Sequence, residues 1–140
     1  MKTNKPILLV EDNPMDVDLT LRAFKRRKVI NPIIVARDGE EALAWLPRWE
    51  AGEEKPVVIL LDLKMPKVDG LEVLRQIKSH PEHKTIPIVV LTSSSEDRDI
   101  HEAYDLGVNS YIVKPVDFEK FLEVAGQLEL YWAVLNQPPV

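Results

Sequence analysis

The stretch VVILLDLKMPKVDG, residues 57–70, runs from uninterrupted hydrocarbon into one carboxylate, Asp62, and then into Pro66 and Gly70. An apolar run of strand length with no polar alternation suits a strand covered on both faces, as in a parallel sheet between two layers of helices. Proline and glycine end the run, so the strand delivers a single acid to the edge of that sheet.

On either side of this stretch the pattern repeats. PILLV (6–10), NPIIVA (31–36), IPIVVLT (86–92) and SYIVK (110–114) are further runs of strand length. Each is followed by a segment of helical period: 15–27, 40–46, 69–78, 96–107 and 117 to about 135. Five βα units predict an α/β fold, a doubly wound five-stranded parallel sheet with five helices. Right-handed crossovers allow few strand orders, and the order 2-1-3-4-5 places strands 1 and 3 side by side at the centre. Gly107 is placed to close the fourth helix and Asp117 to cap the fifth. Pro47 falls inside the second helical pattern, so that helix either breaks there or restarts with Pro47 in its first turn.

The 140 residues, 45% hydrophobic and 29% charged, fit one globular domain over 1–140. A net charge of −5 argues against tracking nucleic acid or an anionic membrane surface, because both need concentrated cations. No stretch has the length of a membrane span, and the first apolar run is too short for a signal peptide core, which points to the cytoplasm. With no cysteine there is no thiol nucleophile or sulfur-ligated metal, and His80, His83 and His101, in polar surroundings, read as solvated surface rather than as ligands.

In open parallel sheets, ligands bind beyond the carboxyl ends of the strands, near the point where strand order reverses. Strand 1 ends in Glu11 and Asp12, strand 3 in Asp62, strand 4 in Thr92 and Ser93, and strand 5 in Lys114. Neighbouring strands lie roughly 4.8 Å apart, which puts Asp12 and Asp62 within the span of one shared cation. Crowded carboxylates repel unless a cation neutralises them, and an all-oxygen donor set selects a hard ion, most plausibly Mg²⁺. A lysine and a hydroxyl on the same rim suit the equatorial oxygens of a phosphoryl group, with Asp62 as its nucleophilic acceptor.

These residues, Glu11-Asp12, Asp62 with Pro66 and Gly70, Thr92-Ser93 and Lys114-Pro115, resemble the receiver domain of two-component response regulators, from about Pro6 to Leu128. The resemblance implies that Asp62 takes a phosphoryl group from a phosphohistidine of a sensor histidine kinase or phosphotransfer protein. It implies that Glu11, Asp12, Asp62 and the backbone carbonyl of Lys64 organise Mg²⁺, and that Thr92 and Lys114 contact the phosphate. It further implies a cis bond at Pro115, a Thr92–Tyr111 switch pair, and control of dephosphorylation from Lys64 and Ser94. Within the family, VEDNPMDVDL and the long acidic loop look most like single-domain regulators paired with bacterial phytochrome-type kinases.

No output domain is expected after the receiver pattern, so the expected output is phosphorylation-dependent protein contact, not enzymatic turnover of an external substrate. On the last helix, Phe118, Phe121, Leu122, Ala125, Leu128, Trp132 and Leu135 form one stripe suited to covering the sheet. Leu130, Tyr131 and Val134 add apolar surface in a C-terminal extension, about 129–140. The resemblance favours a homodimer through the fourth helix, fifth strand and fifth helix, with the apolar C-terminal extension expected to contribute. Three rivals remain: a phosphate-independent scaffold receiver, an aspartyl-phosphate-forming phosphatase, which would need a second acid where Lys64 stands, and a flavin carrier, whose phosphate loop EDNPMD would repel.

Overall fold

In the structure, a computed structural model describing residues 5–114 and 117–135 with side chains through residue 129, strands and helices alternate along the chain. They are β1 (Ile7–Val10), α1 (Pro14–Arg26), β2 (Ile33–Ala36), α2 (Gly39–Leu43), α3 (Trp45–Glu50), β3 (Val58–Leu61), α4 (Gly70–Ser79), β4 (Ile88–Thr92), α5 (Asp97–Asp105), β5 (Ser110–Val113) and α6 (Phe118–Leu135). All neighbouring strands pair parallel in the order β2-β1-β3-β4-β5, as the sequence predicts.

Alternating strand residues face opposite layers. Leu8, Val10, Ile59, Leu61, Ile88 and Val90 pack toward α2, α3, α4 and α5, joined by Trp49, Leu74 and Ile77. Ile7, Leu9, Val58, Leu60, Val89 and Leu91 face α1 and α6, where Phe24, Phe121, Ala125 and Leu128 meet them. Each such side chain contributes about 1.5–3 kcal/mol on full burial, so the two-sided apolar strands anchor the sheet and hold its ends in place. Replacing Ile59, which is completely buried, with alanine would cost about 2–5 kcal/mol.

The second helical pattern is two short helices. Pro47 sits in the first turn of α3, and having no N–H to offer the Leu43 carbonyl it forces a restart, the second of the two arrangements the sequence allows. The five expected helices are therefore six segments. Gly107 follows the end of α5, and the Asp117 carboxylate accepts the Lys120 N–H at 3.0 Å, capping α6. The Pro115 bond lies outside the described residues, as do the side chains of Leu130, Tyr131, Trp132, Val134 and Leu135.

One histidine departs from its sequence reading. His83 is not solvated surface but fully buried, its ring edge-on to Trp49 at 5.4 Å between centroids. It belongs to the connection between α4 and β4, where no periodicity reports which way a side chain points. The turn at His80 and the indole of α3 together draw the ring inward.

Candidate functional site

The parallel register decides which acids meet. Val10 pairs with Leu61, so Glu11 and Asp62, each one residue further on, leave adjacent strands at one level. The Asp62 N–H still donates to the Val10 carbonyl at 3.0 Å. Asp12 follows Glu11 toward solvent, and one carboxylate oxygen from each of the three lies within 4.8 Å of the others. Glu11 and Asp62 are 3% and 4% exposed, which makes their charges expensive without compensation.

The turn after β1 fixes this geometry. Asn13 donates its backbone N–H to Glu11 Oε2 at 3.1 Å, and its side chain caps α1 by accepting from the N–H groups of Met15 and Asp16. Pro14 occupies the first helical position, where its missing N–H costs nothing.

Lys114 supplies the compensating charge. Its Nζ lies 2.8 Å from Glu11 Oε1, 2.7 Å from Asp16 Oδ2 and 3.5 Å from Asp62 Oδ2. Asp16 did not figure among the sequence-read site residues; it reaches the rim from the first turn of α1. Burial pushes the Glu11 carboxyl up to about 7; the Lys114 hydrogen bond opposes that shift and the Asp62 charge adds to it. Burial works against the Lys114 ammonium, but the Asp16 and Glu11 hydrogen bonds and the Asp62 charge outweigh it and hold its pKa above the ordinary lysine value.

Three clustered carboxylates, one of them strained toward protonation, match what a hard divalent cation needs: oxygen donors, excess negative charge and an accessible side at Asp12. Nothing in the donor set suits a soft metal.

A second group of side chains forms the opposite wall. Thr92 is fully buried at the end of β4, and its Oγ1 accepts the Ser94 N–H at 3.4 Å. The Ser94 hydroxyl donates to Asp99 Oδ2 at 2.6 Å, the same oxygen that lies 3.2 Å from Lys64 Nζ. The Lys64 N–H also donates to Asp62 Oδ1 at 3.2 Å. Tyr111 is turned inward, its hydroxyl donating to the Ser94 carbonyl at 2.8 Å. Asp99, absent from the sequence reading, thus ties Lys64 to Ser94. The Ser94 hydrogen bond holds its carboxyl below the usual value, against burial and with help from Lys64.

The loop between Asp62 and α4 is closed by main chain. A Cβ on Gly70 would lie 2.3 Å from the Asp62 carbonyl oxygen, and one on Gly39 would lie 2.0 Å from the Val68 carbonyl oxygen. No other residue fits at either point, which accounts for the glycine that ends the opening stretch.

Residues 7–125 match the response regulator receiver domain. The chain is 45% identical over 134 residues to the probable methanogenesis regulatory protein FilR2 of Methanothrix harundinacea, covering 95% of this chain and 86% of that one. It resembles the solved structure of the phosphorylated cyanobacterial phytochrome response regulator RcpA with a TM-score of 0.87 at 40% identity, covering 99% of this chain and 100% of that one. The Mn(2+)-bound form of response regulator Rcp1 gives 0.84 at 37% identity, with 97% and 99% covered. The matched segment contains every strand and both walls of the acidic site, and with it the chain belongs to the response regulator receiver domain family.

Proposed function

We propose that this protein, over residues 1–140, is a single receiver domain that carries a signal as a phosphoryl group on Asp62, taken from a phosphohistidine of a sensor histidine kinase or phosphotransfer protein. The observation that carries the reading is the placement of Asp62 between two acids and Lys114 at the centre of the sheet rim. An Asp62 carboxylate oxygen forms the new O–P bond while the N–P bond of the donor breaks and its electron pair stays on the imidazole. Thr92 donates its hydroxyl, and Lys114 its ammonium, to the phosphoryl oxygens. Glu11, Asp12, Asp62 and the Lys64 carbonyl would hold Mg²⁺, which would supply a positive charge that screens the attacking carboxylate from the anionic donor.

Lys114 exchanges partners in this reading: it leaves Glu11 or Asp16 for the phosphate. Thr92 and Tyr111 form the switch, because a Thr92 hydroxyl drawn to the phosphate no longer accepts the Ser94 N–H beneath the tyrosine. The donor docks beside α1, where Met15 is 75% exposed next to the acids. Phytochrome-type kinases are the proposed donors, in keeping with the RcpA likeness. The output surface is α5, β5 and α6, used for homodimerisation; Tyr104 and Val113, both about half exposed, lie on it. Cytoplasmic residence fits that role, and among the described residues no helix is long and apolar enough to cross a membrane. The protein assists its own phosphorylation and dephosphorylation and turns over no external substrate.

Intact-mass spectrometry after incubation with a small acyl phosphate, with and without Mg²⁺, tests the proposal. One phosphoryl adduct that requires Mg²⁺ and is absent from Asp62→Asn is the expected result. An adduct indifferent to Asp62, or none at all, would overturn it and leave a phosphate-independent scaffold.

A further inference from the structure

A second cluster of metal-ligating side chains lies at the amino ends of the strands, the far end of the sheet from the acid triad. Glu50 closes α3, His80 follows α4, and His83 sits in the turn before β4. One donor atom from each lies within 4.8 Å of the others. Their exposure is graded: His83 is fully buried, His80 retains 26% of its side-chain surface and Glu50 45%, so a path leads inward from solvent.

His83 is the anomaly. Both of its ring nitrogens are buried without a hydrogen-bond partner among the described residues. Buried polar side chains almost always find protein or water, and each exception calls for a reason. Packing alone is no reason, because leucine would fill the slot without stranding two polar atoms. The Glu50–His80 pair beside it is already polar, with His80 Nε2 2.5 Å from Glu50 Oε1.

We propose that Glu50, His80 and His83 form a second metal site, distinct from the acid triad, that takes a borderline divalent cation such as Zn²⁺. The donor chemistry separates the two ends. Imidazole nitrogen suits zinc and its neighbours, whereas the all-oxygen triad suits magnesium or manganese. Two imidazoles and a carboxylate, with water in the fourth position, make a familiar open zinc set.

Binding requires one rearrangement. The His80 and His83 rings stack at 4.0 Å with 13° between their planes, and an ion sits in the plane of each imidazole it binds. His80, at the helix end and partly exposed, is the ring that turns. Its Nδ1 gives up the 3.2 Å contact from the Glu82 N–H and carries the proton while Nε2 binds the ion. Lys55, whose Nζ donates to the Glu82 carbonyl at 2.8 Å, leaves a positive charge nearby and sets the affinity below that of a closed structural zinc site.

Isothermal titration of the full chain with ZnCl₂, in excess Mg²⁺ to occupy the acid triad, tests the site independently of phosphorylation. The expected result is one equivalent of Zn²⁺ bound by the wild type and by Asp62→Asn, weakened about tenfold to a hundredfold in Glu50→Gln and lost in His83→Leu. Co²⁺ in place of Zn²⁺ should give a visible absorption band that follows the same pattern. Should His83→Leu fail to fold, Glu50→Gln decides, since that side chain is exposed. No binding by the wild type, binding unchanged in Glu50→Gln and His83→Leu, or binding abolished in Asp62→Asn would each overturn the proposal.

Discussion

The two ends of the sheet bury polar groups on different terms. At the carboxyl ends, Glu11 and Asp62 are sunk in the protein together with Lys114, and every buried charge has an opposite one within reach. At the amino ends an imidazole, His83, is buried with no hydrogen-bond partner for either ring nitrogen among the described residues. An uncompensated charge in the interior costs several kcal/mol, more than a marginally stable domain tolerates, while an unpartnered neutral group costs about 1–3 kcal/mol and can be borne. A charged end therefore has to carry its own cation before any metal arrives, and a neutral end does not.

That contrast gives opposite signs for the two central substitutions. Lys114→Met strands two acids and should lower stability by about 3–5 kcal/mol in chelator. Urea unfolding should show much of the loss recovered on adding Mg²⁺, and a variant as stable as wild type without metal would remove the compensation argument. His83→Leu, by contrast, should raise metal-free stability by about 1–3 kcal/mol, because it removes two orphaned nitrogens from an apolar setting. A fall in melting temperature there would mean that the imidazole has a partner the contrast denies it.

The acid end should also betray itself in pH. Glu11 is raised from 4.5 to about 7, so the folded state holds its proton more tightly than the unfolded chain does. Its contribution to stability is complete below 4.5 and is lost as pH rises through about 7. Metal-free protein should therefore carry a declining component of stability across that window, and Glu11→Gln should flatten it. Asp99 runs the other way: its folded pKa is depressed, so its contribution is present above the ordinary carboxylate range and lost as pH falls through the folded value. The smallest effect is expected at Asp16→Asn, which removes one of three acids around Lys114. A loss of about 1 kcal/mol should accompany faster acyl-phosphate incorporation, since the ammonium is less firmly held. Slower incorporation would make Asp16 a part of the site and not a competitor for its lysine.

The acid end was readable because each of its groups stands where an apolar run stops, and strand ends are the most visible boundaries in an α/β sequence. Pairing strand 1 with strand 3 then brings Glu11 and Asp62 together. Asp16 and Asp99 were not read because each reaches the site from a helix, Asp16 from the first turn of α1 and Asp99 from α5, and helical period reports which face a residue occupies without saying what lies opposite. His83 escaped for a stronger reason: its flanking residues, Pro81, Glu82 and Lys84, are all surface types. Only the tertiary approach of Trp49 makes its position interior. The restart at Pro47 lay between these cases, since proline marks a break in a helix but not on which side the helix resumes.

The glycines at 39 and 70 have a mechanical consequence. Backbone presses on backbone at both places, at separations where even one methyl group would not fit. Main chain so wedged yields only if whole helices slide, because close-packed interiors shift between discrete arrangements and do not flex smoothly. Across from it, the segment from Thr92 to Asp99 is fastened by side-chain hydrogen bonds through Ser94, Lys64 and Tyr111, which can trade partners. The site is a vise with one jaw wedged by main chain and one held by exchangeable side-chain contacts. Under the proposed phosphorylation of Asp62, the added charge is expected to shift the Thr92–Asp99 segment, toward α5 and β5, and not the face beside α2.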